Sequence, residues 1–370
     1  MRKRIFVLLA MFAVAITLFG CSVSNTTTTS NTGTPPAGTT AVKLSGGNVV
    51  VSGNTISFTL TALNQSNDII SGIGTGNLQG QVFTTSLPVS GEVPVATLTF
   101  TAVSGGGTGA AKNVAASLVI DKSGSMSGAK QATAEAAGIL FVSTEAAASL
   151  NNKAAVVLFD TRISVEAPML AVSDTNTLNT AILKGGYGGS TALFDAIVAG
   201  VNEASKEAPS ATLARAVVAM TDGGENSSLT FKTTTEVINA AVASNIPIYT
   251  IGLFSSTAEA EYVNSYTGGT YRGDLKAIAL GTTGSEDNYF EVITGITGLS
   301  VKHVSAEQIQ ALGALTELYR KLAGALTQSY STTATLSVGL TSANTYYLQI
   351  VLQSYGDFTG ETIRIPFTTQ

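Results

Sequence analysis

Five oxygen-bearing side chains are spaced along the sequence in a way that suits a metal ion. Asp121, Ser123 and Ser125 alternate within one short segment, and Thr191 and Asp222 each stand beside glycines further along. Together they offer carboxylate and hydroxyl oxygens only. Such hard donors suit Mg²⁺, Mn²⁺ or Ca²⁺ and not zinc or copper. The set predicts a site for one divalent cation with an incomplete coordination shell, which an acidic group from a partner could complete.

The predicted elements place these side chains at one edge of a sheet. Residues 114–120 and 214–220 are nearly continuous apolar runs, as expected for strands buried on both faces. Asp121 and Asp222 follow these two strands, and Thr191 stands just before a predicted helix. In an open parallel sheet, ligands bind outside the carboxyl ends of the strands. We therefore expect the five side chains to meet there.

Strands and helices alternate through residues 112–328. The further predicted strands are residues 153–159, 246–252 and 289–292, and the predicted helices are residues 129–150, 192–206, 233–244 and 305–326. The closing helix begins with a capping box formed by Ser305 and Gln308. This alternation predicts an α/β fold, a doubly wound and mostly parallel sheet with helices on both faces.

The ordered signature reads Asp121-x-Ser123-x-Ser125, then Thr191, then Asp222-Gly223. It resembles the von Willebrand factor type A domain and its metal-ion-dependent adhesion site, over about residues 112–328. The resemblance implies a Rossmann-like doubly wound sheet. It also implies that the two serines and the threonine bind the ion directly or nearly so, and that the aspartates bind it directly or through water. Lys122 and Lys130 flank the signature, and we expect solvated lysines there, which could steer an acidic partner.

The first residues of the chain are typical of a bacterial lipoprotein. Three basic residues precede the uncharged run of residues 5–19, which predicts a signal peptide over residues 1–20. The residues before Cys21 resemble a lipoprotein processing box, so Cys21 is the predicted lipidation site. Ser22, by resemblance to Gram-negative sorting, favours the outer membrane. Residues 21–41 are rich in Ser and Thr and predict a flexible tether.

Two β-rich segments flank the α/β region. Residues 42–111 contain runs that alternate between apolar and polar side chains, and part of this segment resembles bacterial immunoglobulin-like modules. Residues 329–370 return to the same pattern but are too few to bury a core alone. We therefore expect residues 329–370 to pair with residues 42–111 in a split β-sandwich, and two independent flanking pieces are the alternative.

Composition and charge narrow the function. Charged residues make up only 12% of the 370 residues, and the net charge of −5 argues against nucleic-acid binding. We expect a cell-envelope lipoprotein, anchored to the membrane by lipid, that binds a protein or matrix partner by its carboxylate in adhesion or envelope assembly. An enzyme is not expected, because the single histidine, His303, is distant in sequence from the signature. A metal-dependent hydrolase and a scaffold with a structural metal site are the alternatives.

Overall fold

The computed structural model describes residues 35–106, 112–185, 188–210, 213–294 and 306–370. Their strands are β1 (Val42–Ser52), β2 (Thr55–Asn64), β3 (Leu78–Phe83), β4 (Ala96–Ser104), β5 (Asn113–Asp121), β6 (Lys153–Phe159), β7 (Ile163–Ala171), β8 (Leu213–Thr221), β9 (Ile248–Phe254), β10 (Tyr289–Ile293), β11 (Tyr330–Leu336), β12 (Thr345–Leu352) and β13 (Thr362–Thr368). Their α-helices are α1 (Ala129–Ala148), α2 (Thr175–Ile182), α3 (Leu193–Ala204), α4 (Thr234–Ala243), α5 (Thr257–Ala260), α6 (Tyr271–Thr283) and α7 (Ala306–Thr327). The signal peptide, Cys21, Ser305 and His303 lie outside the described residues.

The site-bearing sheet has six strands in the order β10-β9-β8-β5-β6-β7. All neighbouring pairs are parallel except β6 with β7. The central strand β5 is buried along almost its whole length because its apolar residues face helices on both sides. Helices α1 and α7 pack on one face of this sheet, and α3, α4 and α6 pack on the other. This arrangement confirms the predicted α/β class with a mostly parallel sheet.

A second sheet of seven strands is antiparallel throughout, in the order β1-β2-β11-β4-β3-β12-β13. Strand β11 follows α7 directly and lies between β2 and β4, so residues from both ends of the chain build one sheet. A Cβ atom added at Gly46 of β1 would overlap the side chain of Ile365 in β13. The two outermost strands therefore come close together around a shared apolar core.

Asparagine side chains join the antiparallel sheet to the α/β unit. Asn48 Nδ2 donates to the Arg215 carbonyl at 3.0 Å, and Asn48 Oδ1 accepts from the Arg215 amide at 3.0 Å. Asn245 makes the same pair of bonds with Thr368, at 3.0 and 2.9 Å. Both asparagines have positive φ, 53° in each case, which an asparagine tolerates better than most residues. These contacts fix the antiparallel sheet against the amino end of β8 and the end of α4.

Three elements of the α/β unit differ from the sequence-based expectation. Strand β7 and helix α2 were not expected. Strand β7 extends the sheet with an antiparallel edge, and α2 packs its apolar residues into the core beside it. Strand β9 begins at Ile248 and not at residue 246, because Ile246 belongs to the turn that closes α4. Among the described helices, none combines the length and the apolar character needed to cross a membrane.

Candidate metal centre

Asp121 ends strand β5 and is almost fully buried, with 1% of its surface exposed. Its Oδ1 atom accepts the amide of Ser123 at 2.7 Å, and its Oδ2 atom accepts the hydroxyl of Thr221 at 2.6 Å. The chain then makes a short 3-10 turn over Gly124–Met126, and the buried Met126 side chain anchors it. This turn directs the serine side chains back toward the strand end.

Asp222 follows strand β8 and reaches the same place from the neighbouring strand. Its Oδ1 atom accepts the hydroxyl of Ser125 at 2.7 Å. The Ser125 and Ser123 hydroxyl oxygens are 3.3 Å apart. Ser125 is itself exposed, so the group opens to solvent on this side. The two carboxylate-bearing strands and the serine loop thus converge on one small volume.

Thr191 joins this group from the loop before α3. A Cβ atom built on Gly223 would lie 3.9 Å from both the Ser125 and the Thr191 hydroxyl oxygens. The backbone holds the loop in place, because the Thr191 amide donates to Asn226 Oδ1 at 2.7 Å and the Asn226 amide donates to the Thr191 carbonyl at 3.0 Å. Gly189, with φ of +80°, accepts the Gly124 amide at 3.3 Å and ties the same loop to the serine turn.

A buried lysine completes the surroundings of Asp222. Lys130 Nζ lies 2.6 Å from Asp222 Oδ2, while Ser125 donates to the other oxygen, and it lies 3.8 Å from Glu259. The Lys130 side chain is 5% exposed and that of Asp222 is 0% exposed. The expectation that Lys130 is a solvated lysine is therefore wrong. Lys122 is buried as well and pairs with Glu135 at 2.8 Å.

The two carboxylates lie in an environment that disfavours their negative charge. Burial, and then repulsion from Asp222, raises the pKa of the Asp121 carboxyl to about 7. Burial also raises the pKa of Asp222, although the ammonium of Lys130 opposes that shift. Repelling buried carboxylates of this kind are stabilised by a nearby cation. The donor set therefore fits a hard divalent ion on both geometry and charge.

Comparison with known proteins identifies the α/β unit. Residues 117–295 match the family model of the von Willebrand factor type A domain. This unit is a von Willebrand factor type A domain. No curated protein sequence matches the chain.

The fold is similar to that of several solved structures. A von Willebrand factor type A protein from Catenulispora acidiphila is 12% identical, with a TM-score of 0.43 over 93% of this chain and 75% of that one. The pilus adhesin SpaC from Lactobacillus rhamnosus GG is 9% identical, with a TM-score of 0.43 over 87% of this chain and 47% of that one. The mussel byssus protein PTMP1, whose structure has a zinc-occupied MIDAS motif, is 18% identical, with a TM-score of 0.41 over 61% of this chain and 48% of that one. The chain thus spans about half the length of SpaC and of PTMP1.

The structure brings together all five residues that the sequence predicted for the site, at the ends of β5 and β8 and before α3. Over the described part of the chain, no group of three or more His, Cys, Asp or Glu residues could hold a metal. A cation in the type A domain would accordingly depend on hydroxyl oxygens as well as on carboxylates. Two further groups, Thr221 and Lys130, contact the aspartates and were not predicted. Thr221 stands directly before Asp222. That its hydroxyl contacts Asp121 could have been inferred only from the register between β5 and β8.

Proposed function

We propose that the type A domain binds one divalent cation, Mg²⁺ with Mn²⁺ or Ca²⁺ as substitutes, and that a protein or matrix partner completes its coordination with a carboxylate. The residues that would hold the ion are Asp121, Ser123, Ser125, Thr191 and Asp222. The hydroxyls supply neutral oxygens, which bind the ion without compensating its charge. When bound, the ion supplies a positive centre that attracts an acidic group from outside.

The observation that carries this proposal is the buried ion pair between Lys130 and Asp222. Lys130 neutralises one of the two carboxylates, so the pair Asp121 and Asp222 together with Lys130 has a net charge of about −1. A bound dication then leaves an uncompensated positive charge in a site of low polarity, where electrostatic attraction is strong. Glu259 lies further away and is 29% exposed on its side chain, so solvent screens its contribution. An anionic ligand is therefore favoured at the exposed side, next to Ser125.

The same contacts favour binding over catalysis. A hydrolytic site needs a base that is free to take a proton from water. Asp121 already accepts hydrogen bonds from Ser123 and Thr221 on its two oxygens, and Asp222 is held by Ser125 and Lys130. We therefore propose that the type A domain is not an enzyme. A scaffold role would require only that the ion hold the three loops together.

We further propose that the protein is held at the bacterial cell envelope by lipid on Cys21, in the outer membrane as the following serine suggests, with residues 21–41 as the tether. The arrangement of basic residues, apolar run and cysteine in the sequence supports this anchoring. The tether would carry the metal site away from the membrane and toward a partner. Adhesion and envelope assembly are the two roles that this arrangement supports.

The decisive experiment compares the protein and its Asp121→Ala variant with and without the cation. Isothermal calorimetry should show about one Mg²⁺ per chain for the protein and no measurable binding for the variant, while circular dichroism of both is the same. Capture of a partner from an envelope extract should need MgCl₂, be abolished by EDTA and fail with the variant. Unchanged Mg²⁺ affinity in Asp121→Ala would refute the site. A Mg²⁺-dependent melting temperature without Mg²⁺-dependent capture would support the scaffold instead.

A further inference from the structure

Large apolar side chains are exposed on the loop that follows Asp222 and on the loop between α5 and α6. The four, here called the apolar rim, are Leu229, Tyr262, Val263 and Tyr266, with 85%, 61%, 61% and 41% of their surfaces exposed. Single exposed apolar residues are ordinary on a protein surface, but a group of them in adjoining loops indicates an interaction site. The aromatic members are of the type enriched at the centres of protein interfaces.

Short contacts connect the apolar rim to the metal centre. Gly224 comes two residues after Asp222, and a Cβ atom at Gly224 would overlap the ring of Tyr271. The Tyr271 ring in turn packs against the Tyr262 ring, with the centroids 5.5 Å apart. Leu229 belongs to the same loop as Asp222. The apolar rim is therefore joined to the loop that carries Asp222, on one side by Leu229 and on the other through the ring of Tyr271.

The two loops that carry the apolar rim are fixed to each other. The Asn264 side chain donates to the Glu225 carbonyl at 2.8 Å, and the Tyr266 hydroxyl donates to the Ser228 carbonyl at 2.9 Å. The Asn264 amide also donates to the Gly269 carbonyl at 2.7 Å, which closes the second loop on itself. The exposed rings are thus presented by backbone that is already ordered.

The backbone on both sides of Leu229 is held by buried or partly buried acids. Asp195 accepts the amides of Leu229 and Phe231 at 2.7 and 2.8 Å. Glu225 accepts the amide of Ser228 at 2.6 Å. Because Leu229 is 85% exposed, its side chain contributes little to folding. Because the backbone of its loop is already fixed, binding a partner there costs little backbone conformational entropy. Its position favours contact with another molecule.

We propose that the apolar rim binds a protein segment in which a large apolar side chain stands next to the Asp or Glu that reaches the metal. This inference rests on the proposed function, because the carboxylate places the neighbouring side chain on the rim. A protein is favoured over an acidic polysaccharide because Leu229 and Val263 offer aliphatic surface and no hydrogen-bonding groups. Sugars need polar partners for their hydroxyls, which these two side chains cannot provide.

The test uses two five-residue peptides as probes, each with one central aspartate and blocked ends. In one the aspartate is flanked by glycines, and in the other by a leucine and a phenylalanine. In MgCl₂ the second peptide should bind about tenfold more tightly, the scale expected for burying one large apolar side chain. Oligomers of polygalacturonate serve as the acidic sugar probe. If these oligomers bind the protein more tightly than the apolar-flanked peptide does, the assignment to a protein segment is overturned.

Substitutions on the rim separate it from the metal site. The double variant Leu229→Ser with Val263→Ser should lose the preference for the apolar-flanked peptide while its Mg²⁺ affinity stays within about twofold of the original. The matched control, Leu87→Ser, removes a leucine that is 71% exposed between β3 and β4 and should keep the preference. Equal, Mg²⁺-dependent affinity for both peptides would overturn the rim and leave the metal site standing. Binding that EDTA does not change would refute the metal site, and the rim with it.

Discussion

Replacing Lys130 by methionine should make the stability of the protein depend strongly on Mg²⁺. Methionine keeps the apolar stem of the lysine and removes its ammonium group. The Lys130 side chain is 5% exposed, and its Nζ is 2.6 Å from Asp222. Without the ammonium, Asp222 stays buried close to Asp121 with no positive charge to offset either carboxylate. The uncompensated charge destabilises the fold until a cation is added.

The size of the effect follows from the burial of both partners. Removing one partner of a buried ion pair costs about 3 to 5 kcal/mol of unfolding free energy. Asp222 keeps its hydrogen bond from Ser125 and can take up a proton, so we expect the lower end, about 3 kcal/mol. For a unit of this size, a loss of about 3 kcal/mol in unfolding free energy lowers the melting temperature in EDTA by roughly 6–12 °C. Saturating Mg²⁺ should restore most of it, because the ion provides the missing positive charge.

Thermal denaturation followed by fluorescence, in EDTA and in MgCl₂, measures this directly. Lys206→Met is the matched control. Lys206 forms an ion pair of the same 2.6 Å length with Glu203, but its side chain is 53% exposed. Exposed pairs contribute about 1 kcal/mol or less, so the control should shift the melting temperature little in either buffer. The reasoning is refuted if Lys130→Met melts at the original temperature in EDTA, or if Mg²⁺ raises the melting temperature equally in both variants.

Three further perturbations test other parts of the account. Burial raises the pKa of Glu145 to about 8 from an ordinary value of 4.5, so the folded chain holds a proton there that the unfolded chain loses. The unfolding free energy should therefore fall as the pH rises from about 4.5 to 8. Glu145→Gln should remove that slope, so urea denaturation should show a gain of about 2 to 4 kcal/mol in unfolding free energy at pH 7.5 and no gain at about pH 4. Asn48→Ala removes both hydrogen bonds to Arg215 and leaves an alanine at positive φ, so urea denaturation should show a loss of about 3 kcal/mol of unfolding free energy. A loss below about 1 kcal/mol would show that this contact does not hold the sheets together. Cys21→Ser should move the protein out of the detergent phase in Triton X-114 partitioning, and unchanged partitioning would exclude lipidation of that residue.

The positions of the five candidate site residues could be predicted from the sequence because each follows a simple local pattern. Asp121 and Asp222 come at the carboxyl ends of mainly apolar runs, and such runs form the central strands of a parallel sheet. Thr191 stands after the glycines at 188 and 189 and before a helix that begins with an apolar segment. Topology alone then brings the three loops to one edge. The sequence does not, however, contain the distances among their oxygen atoms.

The burial of Lys130 could not be predicted in the same way. A lysine in the first turn of a helix is usually solvated. Here Asp222, which follows a strand distant in sequence, gives its ammonium a buried partner. Strand β7 was missed because its exposed edge carries Glu166 and Pro168 among apolar residues, which breaks the alternation typical of a strand. The apolar rim was also not predicted, since its two loops become neighbours only through side-chain bonds such as that of Asn264.

The water-proton relaxation of Mn²⁺ bound to the protein measures whether the ion keeps a coordination position open to an outside acid. Bound Mn²⁺ should keep at least one rapidly exchanging water and so enhance the relaxation strongly. Adding the apolar-flanked aspartate peptide should reduce the enhancement as its carboxylate displaces that water, while Asp121→Ala should give no enhancement above free Mn²⁺. If Mn²⁺ binds and the peptide leaves the enhancement unchanged, the ion has no position for an outside acid, and the proposed binding function is wrong.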